Sequence, residues 1–94
     1  MTKNELVKQI SNETGCTPQE VLMIVEALMV SVKKSLSNSE NVYLRGFGSF
    51  ILKHRAEKVA RNISNNTSII VPEHDIPFFK PCKEFVTSVS GLEE

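Results

Sequence analysis

Between Phe50 and Arg61 the chain runs for 12 residues with neither Gly nor Pro, directly after the glycine-bracketed turn Gly46-Phe47-Gly48. Extended at about 3.3 Å per residue, that segment is roughly 40 Å of strand. A compact domain of about 100 residues has a radius of gyration near 13 Å. A strand of that length has to leave the globule, so the spacing predicts a protruding β-hairpin arm over about residues 53–74, carried by a platform built from the rest of the chain.

Period-two alternation divides the arm into two faces. Ile51, Lys53, Arg55, Glu57, Val59 and Arg61 fall on one, and Phe50, Leu52, His54, Ala56, Lys58 and Ala60 on the other. Three of the four basic residues therefore share a face. Asn62 to Asn66 reads as a polar tip, with Asn65-Asn66 tolerant of positive φ. The β-branched run Thr67 to Val71 reads as the returning strand. Pro72 and Pro77 limit ladder pairing on that side and suit an edge.

The platform begins with two capped helices. Thr2 is placed to cap the amide of Glu5, with Glu5 reaching back, and Leu6, Val7 and Ile10 follow at helical spacing. Gly15 supplies a left-handed stop. Thr17-Pro18-Gln19-Glu20 is a second capping box with Pro at the first helical position, opening a helix over about Pro18 to Leu36. Its apolar residues (Val21, Leu22, Ile24, Val25, Leu28, Met29, Val32 and Leu36) cover more than the roughly 100° that one amphipathic stripe needs. Leu28 and Val32 are accordingly expected in a dimer core. The alternative is a central helix of a monomer, for which 94 residues less an arm leave little chain to wrap it. Ser37 to Asn41 is a polar loop, and Val42, Leu44, Phe50 and Leu52 alternate as two short strands about the turn. Both turn glycines are expected in conformations other residues resist. Pro81 is expected to start a last helix, Cys82 to Ser90, with Phe85, Val86 and Val89 as its apolar face and Gly91 as its stop. The fold class is α+β, in one domain over residues 1–94.

Composition excludes more than it selects. Net charge is zero, with 11 basic and 11 acidic residues, so a nucleic-acid partner has to be argued from charge placement. Placement is uneven: Arg45, Lys53, Arg55, Lys58, Arg61, Lys80 and Lys83 stand against Glu57, Glu73 and Asp75 over the same stretch. Two cysteines, Cys16 and Cys82, make no disulfide framework. The N-terminus has no apolar signal core, and Glu26 interrupts the best membrane-span candidate, Val21 to Val32. A cytoplasmic location is the expectation. Glycine-rich phosphate loop, paired CxxC and HExxH motifs are all missing, so neither catalysis, a cofactor nor a small-molecule substrate is expected. His54 and His74 fall roughly level on the two legs of the hairpin, near Glu57, Glu73 and Asp75. No recognised metal-ligand spacing results, and a solvated arm histidine near phosphate is the favoured reading. Basic residues along one strand face, with apolar Val59 and Ile63 towards the tip, suit a ribbon that neutralises phosphates and wedges between base steps.

The string RGFGSF…HRAEKVARN…IIVP…IPFFKPCKEF resembles the bacterial HU and integration host factor family of DNA-bending proteins, and the order of elements follows that family along the whole chain. The family is an established example of minor-groove binding with an intercalating wedge, so that mechanism is an implication of the resemblance. The resemblance implies an intertwined dimer, either a homodimer or a heterodimer with a paralogue, that is nucleoid-associated and binds double-stranded DNA through paired arms. It implies an aromatic dimer core of Phe47, Phe50 and Phe79. Arg55, Lys58, Arg61 and Asn62 fall on the DNA-contacting arm. Lys53 and Arg45 match backbone contacts, Arg45 also matching an arginine that enters the minor groove. Lys3, Lys80 and Lys83 match phosphate contacts from the body.

Departures are confined to a few positions. Where the family has RNPxTG at the tip, this chain has Ile63 for the intercalating proline and Asn65-Asn66 for Thr-Gly. Isoleucine is a known wedge type but lacks proline's fixed φ. Cys82 replaces a glycine before the last helix. With zero net charge, these changes also suit an alternative: a dimeric scaffold or protein-interaction module with weak or lost DNA binding.

Overall fold

Thr2 and Thr17 each start a helix by accepting a backbone amide on the side-chain oxygen, from Glu5 at 3.2 Å and Glu20 at 3.3 Å. The helices are α1 (Lys3–Thr14) and α2 (Pro18–Ser37). Gly15, at φ 78°, ends α1 as expected. Glu5 does not reach back to the amide of Thr2; its carboxylate accepts the Thr2 hydroxyl instead, at 3.3 Å. The computed structural model describes residues 1–62 and 67–92.

The sheet forms from β1 (Val42–Leu44), β2 (Gly48–Arg55), β3 (Lys58–Asn62), β4 (Thr67–Val71) and β5 (His74–Pro81), and α3 (Lys83–Ser90) follows. All pairing is antiparallel. β2 lies between β1 and β5, and β3 pairs with β4 in a separate two-stranded ladder. β5 is thus an edge strand, as its prolines require.

One expectation is corrected here. The segment from Phe50 to Arg61 is two strands, β2 and β3, with Ala56-Glu57 outside both. Arg55 faces His74 at the end of the first ladder and Lys58 faces Val71 at the start of the second. The break is therefore symmetrical, with Ala56-Glu57 on one leg and Pro72-Glu73 on the other, and the register carries through it unchanged. Pro72 has no N–H to donate, so a full rung cannot close there. The projection itself holds: the radius of gyration is 18.7 Å and the extents are 57 × 35 × 29 Å, against the roughly 13 Å radius of a compact domain this size. Asn62 belongs to the ladder, opposite Thr67. Ile63 and the rest of the expected tip lie outside the described residues.

Two further corrections concern glycine and proline. Gly46 has the positive φ expected of it, 79°, but Gly48 does not; its role is close packing against β5. Pro81 closes β5 rather than opening α3. Cys82 is the cap, its Sγ accepting the Phe85 amide at 3.4 Å.

Burial is thin for a chain of this length. Among the described residues the buried apolar side chains are Val7, Val21 and Leu36. Leu22, Val25 and Val32 are half-buried, whereas Ile24, Leu28 and Met29 are exposed, as are Met23 and Val30 on the same helix. Val89, expected on the packed face of α3, is 75% exposed.

Candidate nucleic-acid interface

Antiparallel register decides which side chains share a face of the β1-β2-β5 sheet. The rungs Phe50–Phe79, Leu52–Pro77 and His54–Asp75 point one way. Val32 and Leu36 of α2 meet Phe50, Leu52 and Pro77 along an open groove, with Lys33 and Asp75 among its walls. This is the helix-facing side.

The alternate rungs, Ser49–Lys80, Ile51–Phe78, Lys53–Ile76 and Arg55–His74, with Tyr43 beside Ser49, make the other side. It carries Lys53, Arg55 and Lys80, all exposed, and no acidic residue. The Lys53 ammonium lies 4.6 Å from the centroid of the Phe78 ring, a cation–π contact that holds the stem along the sheet while the charge stays accessible. Phe78 was not singled out by sequence, because its role depends on a cross-strand diagonal to Lys53.

On the arm the basic residues divide between the two faces. Val59–Ile70 and Arg61–Ser68 share one face of the β3–β4 ladder, and Lys58–Val71 and Ala60–Ile69 the other. The unchanged register across the break puts Arg61 on the parity of Lys53 and Arg55, and Lys58 on the parity of His54. Asp75 is on the helix-facing side, and Glu57 and Glu73 sit in the break. Asp75 and Glu73 are thereby kept off the parity of Lys53, Arg55 and Arg61, whereas Glu57, in the break, shares it.

His54 and His74 stand one rung apart, His54 facing Asp75 and His74 facing Arg55. Its Nδ1 lies 2.9 Å from Asp75 Oδ1 and its Nε2 3.4 Å from Glu73 Oε2. The ring bridges two carboxylates instead of facing solvent alone. His74 Nδ1 lies 2.9 Å from the Pro72 carbonyl oxygen.

The remaining basic candidates are spread over the body. Arg45 sits in the β1–β2 turn, where the Phe47 amide donates to Leu44 at 3.0 Å. The Cys82 amide donates to the Phe47 carbonyl at 3.0 Å, which fastens that turn to the start of α3, the position of Lys83. Lys3, at the start of α1, is ion-paired with Glu26 of α2 at 2.9 Å. Of the side chain of Asn62 nothing is described.

Phe47, Phe50 and Phe79 do come together. Ring centroids are 5.1 Å apart for Phe47–Phe79 and 5.0 Å for Phe50–Phe79. Phe85 completes the cluster, 5.1 Å from Phe47 and 6.1 Å from Phe79. Its place in the cluster was readable only as the first apolar position of α3. The cluster is not closed within one chain, since Phe47 remains 45% exposed. Leu28, at 51% exposed, contributes to no core here. Together with the groove beneath α2, these are apolar surfaces that the single chain leaves open.

A family model described as bacterial DNA-binding protein matches residues 1–90. A DNA-binding protein of Rhizobium leguminosarum is 35% identical over 91 residues, covering 97% of this chain and all of that one. Integration host factor subunit beta of Marinobacter nauticus is 36% identical over 91 residues, covering 96% and 93%. Among solved structures, an Anabaena HU–DNA cocrystal structure superposes with a TM-score of 0.91 at 28% identity, covering 96% of this chain and 98% of that one. HU from Thermotoga maritima, at 24% identity, shares the fold with a TM-score of 0.67 over 95% and 98%.

Proposed function

The chain belongs to the bacterial DNA-binding protein family, the HU and integration host factor group, and from that membership we propose that it is an architectural, histone-like protein that binds and bends double-stranded DNA. The observation that carries the reading is the sheet face bearing Lys53, Arg55 and Lys80 and no acid, continued by parity past Glu57 in the break to Arg61 on the arm. Cations set along one ribbon face neutralise successive phosphates and release their counterions, giving affinity independent of sequence. Lys58, on the opposite face of β3, and Asn62 add to the contact on the arm. Arg45 and Lys83, fastened together through the Phe47–Cys82 hydrogen bond, and Lys3 extend the contact on the body.

The functional unit is a dimer of two 1–94 domains, either two copies or this chain with a paralogue. Phe47, Phe50, Phe79, Leu28 and Val32 meet their counterparts across the interface. Ile24 and Leu28, four residues apart on one side of α2 and both exposed, support this, because adjacent apolar side chains left in water mark an interaction surface. Two arms, at about residues 53–74, then grip the minor groove from opposite sides, and Ile63 wedges between base steps in place of the family's proline. The role is structural rather than catalytic and needs no cofactor. Residence on the nucleoid follows from DNA as partner, and among the described residues no helix is long and apolar enough to cross a membrane.

A titration of nicked duplex DNA at low salt, followed by mobility shift, tests the reading. A saturable shift is expected, with end-to-end energy transfer on a labelled duplex reporting a bend that Ile63→Ser reduces more than it reduces affinity. A dimer that produces no saturable shift would instead be a protein-interaction scaffold, the reading that zero net charge favours.

A further inference from the structure

The face of the arm that carries Arg61 also carries an exposed aliphatic rung. Val59 and Ile70 face each other directly across the β3–β4 ladder, and they are 67% and 64% exposed. The next rung on the same face is Arg61–Ser68. An isolated two-stranded ribbon gains from aliphatic cross-strand pairs, so this rung has an ordinary use in holding the arm together. The rung behind it, Ala60–Ile69, serves that use equally on the opposite face. What sets Val59–Ile70 apart is its parity, shared with Lys53, Arg55 and Arg61, with Glu57 the one acid on that side among the described residues.

We propose that the Val59–Ile70 rung is a second, non-ionic element of the DNA interface, seated against the deoxyribose edges that wall the minor groove and selecting DNA over RNA. This rests on the DNA-binding reading above. Charge complementarity brings the face onto the groove, since Arg61 one rung away pairs with phosphate and leaves the apolar rung against sugar. Deoxyribose offers C–H surface there. RNA offers 2′-hydroxyls across its minor groove, and an aliphatic pair gives a hydroxyl no hydrogen-bond partner. Burying an unpaired hydroxyl is costly, so the rung penalises ribose while adding affinity for deoxyribose that salt does not screen.

The experiment compares Ile70→Thr with Ile69→Thr in the full-length protein. Both keep the β-branch that the strand favours, and both add a hydroxyl to an exposed position of β4, on opposite faces. Affinity is measured on one duplex DNA across a salt series, and on the same-sequence duplex RNA at one salt concentration. Ile70→Thr, alone or with Val59→Thr, is expected to weaken DNA binding by about three- to tenfold at every salt concentration, leave the salt slope unchanged, and narrow the DNA-to-RNA ratio by a similar factor. Ile69→Thr is expected to change none of these. Equal losses from the two variants would reduce the rung to arm stability and overturn the proposal, as would an unchanged DNA-to-RNA ratio in Ile70→Thr. Absence of saturable DNA binding by the unsubstituted protein is a different failure, which removes the DNA-binding reading and this proposal with it.

Discussion

Gly48 lies against Phe79 so closely that a Cβ at that position would stand 2.6 Å from the ring's Cζ and 2.6 Å from the Lys80 carbonyl oxygen. This contact sets how near β2 and β5 approach beneath the aromatic cluster. Phe79 in turn packs on Phe47 and Phe50, so one missing side chain seats three rings. Gly48→Ala is expected to destabilise the fold by about 1–3 kcal/mol through overpacking, because one of the clashing atoms is backbone and has little room to yield. Urea unfolding at fixed protein concentration measures it. Gly46→Ala costs by another route, the positive φ, and nothing but the Glu84 carboxylate, at 3.6 Å, meets its added methyl.

Leu28 separates the dimer from the monomer. At 51% exposed, its replacement by Glu would be nearly neutral in a monomer, where surface changes fall within about ±0.5 kcal/mol. In a dimer the carboxylate would be driven into an apolar interface without a partner. Leu28→Glu is expected to shift the sedimentation coefficient to that of a single chain, or to leave the chain unfolded, at concentrations where the unsubstituted protein is dimeric. Unchanged sedimentation and unchanged unfolding would place the interface elsewhere.

The first two helix starts, the helix stops and the hairpin order were legible because each is written locally: Thr2 and Thr17 cap, Gly15 and Gly91 stop, and period two marks the strands; the grouping of Phe47, Phe50 and Phe79 came with the family resemblance. Two misreadings share a cause. The segment from Phe50 to Arg61 has no breaker of its own, and the break at Ala56-Glu57 is imposed from the other leg by Pro72, which sequence order places 15 residues after Glu57. Gly48 looked like a turn glycine because it follows Gly46, whereas its constraint comes from Phe79 on another strand. The basic face was legible by parity as far as Lys53, Arg55 and Arg61; adding Lys80 and Phe78 needed the β2–β5 register. Zero net charge hid the segregation altogether, since the arrangement that keeps Asp75 off the basic rungs leaves no trace in a sum.

Arg61 and Lys58 test that segregation. They lie on opposite faces of β3. If the Arg61 face meets the phosphates, Arg61→Ala is expected to weaken binding to unrelated duplexes alike and to lower the slope of log K against log salt by about 1. Lys58→Ala, on the other face, should lower it by less. Equal slopes for the two variants would mean that the ribbon is embraced on both faces, and an unchanged slope for Arg61→Ala would remove the phosphate contact.

His54 and Asp75 are joined at 2.9 Å across the last rung but one of the β2–β5 ladder, with Glu73 at 3.4 Å from the other ring nitrogen. All three are exposed, which limits the worth of the pair: a double-mutant cycle of His54→Gln and Asp75→Asn is expected to give a coupling below about 1 kcal/mol. Asp75→Asn alone should raise DNA affinity at low salt about two- to threefold, because one carboxylate fewer stands beside an arm that follows phosphates, and the gain should fade as added salt shortens the Debye length from about 10 Å at 0.1 M. A gain that persists at high salt would place Asp75 in direct contact with DNA.

The break in the arm is chemically simple enough to repair. Register sets Glu57 opposite Pro72 between ladders that already agree in phase, so a residue with an amide proton and strand preference at position 72 has a partner waiting. Pro72→Val is expected to join the two ladders, to slow amide hydrogen exchange at residue 57 and to give a protected amide at position 72, with the flanking rungs protected as before. The repaired arm would be stiffer at its root. If the two arms swing at this break to follow a duplex as it bends, Pro72→Val should reduce the bend read by energy transfer while leaving the salt slope unchanged, since no cation is moved. Slower exchange with an unaltered bend would make the break a device of strand pairing alone, with the arm's direction set by the sheet.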